Sequence, residues 1–130
     1  MSQATLNNTK QSELLDKCIE FVLTYGHNLY SRMEAVVVRE FLEKHMLYGT
    51  MMVCWDKGSI VAIVRWNWKT RTSAQILDLI IHPDYRNKRI MQSILVRAMV
   101  AYPWLKTISF HRKKHDRDVT CLVTKFLGGN

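Results

Sequence analysis

Apolar positions keep helical spacing at the start of the chain and strand spacing through its middle. Leu14, Leu15, Cys18, Ile19 and Val22 fall on one face of a helix running from Ser12, a good N-cap, to Gly26, a good stop. The polar stretch before it, residues 1–11, reads as a flexible arm ahead of a single domain over 12–130. A second helix is predicted over 31–49, with Met33, Val36, Val37 and Phe41 inward. Ser31 and Glu34 form a capping-box pair at its start, and Gly49 ends it.

The period then changes to two. TMMVCW reads as a short strand and Asp56-Lys57-Gly58 as a tight hairpin turn. A longer strand follows, SIVAIVRWNWK, with Ile60, Ala62, Val64, Trp66 and Trp68 on one apolar face. After TRTS comes AQILDLIIH, which places Leu77, Leu79 and Ile81 on one side and Ile76, Asp78, Ile80 and His82 on the other. Pro83 ends that strand, because it cannot donate to a ladder. Ile90, Met91, Ile94, Leu95 and Ala98 then mark a helix from about Asn87 to Ala101, closed by Tyr102-Pro103. KTISFHR is a strand, KKHDRD a turn and VTCLVT its antiparallel mate. The order α-α-β-β-β-α-β-β gives an α+β fold: a mixed, mostly antiparallel central sheet flanked by helices, in which the strand after the crossover helix returns parallel to the third.

Composition narrows the functional classes. Nineteen Lys and Arg against eleven Asp and Glu give a formal net charge of +8, which favours phosphate-bearing partners such as a nucleotide-like cofactor, a nucleic acid or an acidic protein. Three cysteines, Cys18, Cys54 and Cys121, form no CxxC pair, which points to a reducing compartment. No signal sequence is evident, and no apolar run approaches the ~20 residues needed to span a bilayer. The expected location is the cytoplasm.

The chemistry concentrates at IHPDYRNKRIMQSIL. A strand enters a turn and a helix begins near Asn87, so unpaired N–H groups and the positive end of the helix dipole meet Arg86, Lys88 and Arg89. A phosphate group suits such a helix start.

The stretch AQILDLIIHPDYRNKRIMQSIL resembles the core motif of the Gcn5-related N-acetyltransferase (GNAT) family, in which a strand leads through hydrophobic-x-Pro-x-Tyr into R/Q-x-x-G-x-G/A at a helix start. The preceding helix-helix-strand-strand order agrees with that fold. The resemblance implies an acetyl-CoA-dependent N-acetyltransferase that passes an acetyl group to an amine by direct attack. It also implies backbone pairing of Leu79, Ile80 and Ile81 with the pantetheine arm. The loop of Arg86, Asn87, Lys88, Arg89, Ile90 and Met91 would hold the pyrophosphate. Arg89 and Met91 stand where the family carries glycines, and Gln75 stands where it often carries a glutamate base. Asp78, on the same strand face as His82, is the remaining candidate for a catalytic base or a water-positioning group; the alternative is a strand aspartate satisfied by backbone or by an arginine.

Other constellations admit two readings each. Arg112, Lys113, Lys114 and Arg117 make a basic hairpin tip that suits nucleic-acid phosphates or protects a sheet edge. Trp66 and Trp68 are core or a stacking platform. His111 and His115 lack a shared face and a third ligand, so no metal site is expected. The alternative to a transferase is a non-catalytic module of the same fold whose basic surface binds nucleic acid or a protein.

Overall fold

Helix α1 (Gln3–Tyr25) begins well before Ser12, which lies inside it rather than at its cap. The computed structural model describes residues 3–26, 33–86, 88–112 and 117–123. The predicted inward face of α1 is present, with Leu15, Cys18 and Val22 buried, and it also includes Phe21. The Gly26 N–H closes the helix by donating to Val22 O at 2.8 Å.

Helix α2 (Ala35–Tyr48) takes Glu34 as its N-cap without a side-chain capping bond, while Ser31 falls outside the described residues. Its buried residues are Val38, Leu42 and His45. Val36, Val37 and Phe41, expected inward, are exposed at 57, 38 and 37%. The run Ala35–Val38 is apolar throughout, so its pattern leaves the helical phase open; the residues one turn on, Leu42 and His45, select Val38. Gly49 ends α2 in the left-handed conformation (φ 67°), its N–H facing His45 O and Met46 O. His45 Nδ1 and Thr50 Oγ1 lie 2.7 Å apart, so two buried polar groups satisfy each other.

Strands β1 (Met51–Asp56) and β2 (Ser59–Thr70) are joined by Lys57 and Gly58, both at positive φ (52° and 80°). A two-residue turn with left-handed φ at both positions matches strand twist. In β2 the predicted one-sided pattern gives way: Ile60, Val61, Ala62, Ile63 and Val64 are all buried. An interior strand in a sheet with helices on its faces has no wet side. Alternation resumes at Trp66, buried, with Asn67 and Lys69 exposed.

β3 (Ser73–Ile81) leads through a 3-10 turn, Pro83–Tyr85, to helix α3 (Lys88–Ala101), then β4 (Thr107–Arg112) and β5 (Arg117–Leu122). The five-stranded sheet has the order β1-β2-β3-β4-β5. It is mostly antiparallel: β3 and β4 pair in parallel across the α3 crossover, and β4 and β5 pair antiparallel from Thr107↔Leu122 to Arg112↔Arg117. β5 therefore begins at Arg117, inside the stretch expected to be turn.

The chain divides into two compact units, Met1–Ile63 with Ile80–His82, and Val64–Leu79 with Pro83–Asn130. The first is built on Leu15, Cys18, Phe21, Val22, Val38, Leu42, Ile60, Ile63 and Ile80. In the second, Trp66, Ala74, Ile94, Leu95, Leu105, Ile108 and Val123 are buried. There Trp66, Trp68, Tyr102 and Trp104 meet edge to face, with Tyr102 5.8 Å from Trp66, 5.1 Å from Trp68 and 5.7 Å from Trp104. Such edge-on contacts suit the ring quadrupoles. No helix among the described residues is long and apolar enough to cross a membrane.

Candidate functional site

The parallel ladder between β3 and β4 is short. It consists of Ser73↔Thr107, Ala74↔Ile108 and Gln75↔Ser109. Beyond it β3 continues to Ile81 and β4 to Arg112, and no further pair joins them among the described residues. The two strands part after Gln75 and Ser109. A strand that leaves its neighbour in mid-course presents peptide groups that an extended ligand can pair with.

Ser109 sits at the head of this gap. It is 1% exposed, and its Oγ has no hydrogen-bond partner among the described residues. A buried hydroxyl without a partner is a rare, costly arrangement. Two residue pairs back the hydroxyls are satisfied, since Thr107 Oγ1 donates to Ser73 Oγ at 2.8 Å. Sequence reading passed over Ser109; the signal was a lone hydroxyl between Ile108 and Phe110 in a predicted strand.

The fold is shared with known acetyltransferases. The aminoglycoside 6'-N-acetyltransferase from Enterococcus faecium superposes with a TM-score of 0.57 at 14% identity, over 76% of this chain and 55% of that one. The PaiA N-acetyltransferase from Thermoplasma acidophilum, solved with coenzyme A, gives 0.60 at 13% identity, over 80% of this chain and 76% of that one. A chimeric spermidine N-acetyltransferase from Vibrio cholerae gives 0.58 at 16% identity, over 85% and 93%. The chain has the GNAT fold. It spans 55% and 64% of the lengths of two aminoglycoside acetyltransferases it matches. No protein-family profile matches the sequence, and no curated protein matches it.

Within this GNAT fold the predicted site residues scatter over several environments. Leu79 and Ile81 are half-buried and Ile80 is buried at 4%. Arg86 is exposed after the 3-10 turn, and Asn87 lies outside the described residues. Lys88 opens α3, Arg89 is exposed on its first turn, and Ile90 and Met91 are half-buried. Met91 shares a helical face with the buried Ile94 and Leu95. Gln75, at the position where the resemblance puts a glutamate, is the last β3 residue of the ladder.

Asp78 is engaged. Arg65 Nε donates to its Oδ2 at 2.9 Å, and Arg65 Nη2 donates to the same oxygen. The arginine-satisfied aspartate is what the contacts show. His82 packs its ring on Tyr25, centroids 4.7 Å apart, and its backbone N–H donates to Val61 O at 2.8 Å.

In the first unit, His82 and Tyr25 also line a cavity of about 430 Å³ with Glu20, Phe21, Trp55 and Ser59. Lys17 Nζ sits 5.7 Å from the Trp55 ring centroid, so that indole face already receives a cation. Of the basic hairpin tip, Arg112 and Arg117 are the last Cα pair of the β4–β5 ladder, whereas Lys113 and Lys114 fall outside the described residues. Among the described residues no group of three or more His, Cys, Asp or Glu could hold a metal.

Proposed function

We propose that the protein is an acetyl-CoA-dependent N-acetyltransferase acting on an amine. The observation that carries this reading is the three-pair β3–β4 ladder and the gap beyond it. Acetyl-CoA would supply a thioester whose acetyl group passes directly to the acceptor amine. In this reading the peptide groups from Leu79 to Ile81 pair with the pantetheine arm. The buried Ser109 hydroxyl meets a polar atom of that arm. The turn and helix start, Arg86 to Met91, hold the pyrophosphate through backbone N–H groups and through Arg89, whose exposed side chain supplies the charge that a glycine would not. Asp78 takes the proton of the acceptor, directly or through water, with Arg65 fixing its carboxylate.

Thermal denaturation and calorimetry with acetyl-CoA test the reading, followed by thiol release with a panel of amines. A ligand at about 100 times its Kd stabilises a fold by ~2.7 kcal/mol, so a clear upward shift of Tm is expected. No shift at ~1 mM acetyl-CoA, about 100 times a Kd of ~10 µM, would overturn it. The Arg65–Asp78 pair favours one second reading, a binding module with this fold and no catalysis. Acetyl-CoA binding without thiol release from any amine would establish that alternative.

A further inference from the structure

Charge is divided unevenly along the chain. The second compact unit, Val64–Leu79 with Pro83–Asn130, holds thirteen of the nineteen Lys and Arg but four of the eleven Asp and Glu, a net charge of +9. The first unit is left at −1. Such asymmetry points to a polyanionic partner for the basic part.

The same unit holds the ring cluster of Trp66, Trp68, Tyr102 and Trp104. Centroids 6.3 Å apart for Trp66 and Trp68, 5.1 Å for Trp68 and Tyr102, and 5.7 Å for Tyr102 and Trp104 make the cluster continuous. Trp66 is 5% exposed and Trp104 52%, so the cluster is anchored at one end and open at the other.

Cations flank the open end. Lys106, two residues beyond Trp104, donates its backbone N–H to Thr72 O at 2.8 Å, and Thr107 N–H donates to the same oxygen at 3.2 Å. These bonds hold the start of β4 against the β2–β3 turn, which carries Arg71, and Lys69 lies in the last turn-ward residues of β2. All three side chains are exposed, and among the described residues none is in an ion pair. The unit's acids stand elsewhere. Asp78 is held by Arg65, Asp84 precedes α3, and Asp118 is the Cα partner of His111, toward the far end of the β4–β5 ladder; Asp116 lies outside the described residues.

We propose that this end of the second unit binds single-stranded nucleic acid, with a base stacked on Trp104 and the phosphates beside it neutralised by Arg71, Lys106 and Lys69. The charges call for an anion, and the rings select which one. An indole face stacks on any unpaired base, while cations next to it track the backbone. An anionic membrane surface would satisfy the charges, but it is held by a broad apolar face; here three of the four rings are buried or half-buried against one another. The surface is also separate from the turn proposed for pyrophosphate. Trp104 follows the C-terminal end of α3, a helix of 14 residues, and at 1.5 Å per residue its two ends are ~21 Å apart. Nucleic-acid binding therefore does not depend on acetyl transfer.

Fluorescence anisotropy with the whole chain and a labelled oligothymidylate of about 15 nucleotides tests this. At ~50 mM salt a Kd of roughly 1–100 µM is expected, weakening at ~200 mM. Tryptophan emission should be quenched on binding, and ~1 mM acetyl-CoA, about 100 times a Kd of ~10 µM, should not compete. Trp104→Ala is expected to weaken binding about 5–100-fold, and Trp104→Phe to keep most of it. Arg71→Gln with Lys106→Gln should reduce the slope of log K against log salt by ~1.4. These side chains are exposed, so Tm should hold; the double glutamine variant carries the test where Trp104→Ala does not fold. No binding at ~50 mM salt with ~200 µM protein would overturn the proposal. So would equal affinity for a duplex of the same length, displacement by acetyl-CoA, or indifference to both sets of substitutions. Binding to phosphatidylserine vesicles with no response to the oligonucleotide would place a membrane there instead.

Discussion

Arg65 and Asp78 hold each other from neighbouring strands, the guanidinium Nε donating to Asp78 Oδ2 at 2.9 Å with both side chains largely withdrawn from water, 12 and 15% exposed. Removing one partner leaves the other a poorly hydrated charge. Arg65→Met is expected to lower stability by about 1–3 kcal/mol, between the values for exposed and buried pairs. Arg65→Met with Asp78→Leu should recover most of that loss, as measured by urea unfolding. Asp78→Asn separates structure from chemistry: as proton acceptor, its loss should reduce kcat by about 10²–10⁴ while acetyl-CoA binding holds.

Ser109 gives a test with effects of opposite sign. Its Oγ is buried without a partner, so Ser109→Ala removes an unsatisfied polar atom. The protein alone should keep or gain stability, by up to about 1 kcal/mol. The stabilisation by acetyl-CoA should shrink, because the hydroxyl no longer meets the ligand. Melting curves with and without acetyl-CoA measure both effects at once.

Arg89 stands exposed on the first turn of α3. A guanidinium there adds charge-assisted bonds to a helix start that already favours anions. Arg89→Gly is expected to weaken acetyl-CoA binding about tenfold, with a shallower dependence on salt. Tighter binding in the glycine variant would mean that the side chain obstructs the pyrophosphate. Calorimetry at two ionic strengths decides.

Cys18 is wholly buried, and burial pushes its thiol up from 9.0 to about 11. The unfolded chain loses this proton first, so the folded state binds one more between pH 9 and 11. Stability should fall as pH rises through that window, by about 1.4 kcal/mol per pH unit from this group. Comparison of pH-stability curves for the native chain and Cys18→Ala isolates the contribution. The half-buried Cys121 should react with a thiol reagent before Cys18 does.

Much of the fold was legible because its punctuation is local. Gly49, the Lys57-Gly58 turn and Pro83 fall where the structure ends or turns its elements, and the α-α-β-β-β-α-β-β order follows from changes of period. The phase of α2 was not legible: Ala35–Val38 is apolar at each position, and only packing selects Val38. The double burial of Ile60–Val64 was hidden as well, since alternation in sequence says nothing about a layer on each face. For the site, the turn and helix start were visible in HPDYRNK. The Arg65–Asp78 pair was anticipated only as a class of contact, because the partner comes from another strand. Ser109 escaped notice because its significance depends on where a ladder stops, and side-chain pattern does not encode that.

That stopping point has an evolutionary consequence. The β3–β4 ladder stops at Gln75 and Ser109, and the peptide groups beyond a ladder's end are the same in every protein. Substitutions can drift through Ile76, Leu77 and Phe110 while the opening survives. A shape held by main chain can recur where side chains differ, as in the acetyltransferases this chain superposes on at 13–16% identity.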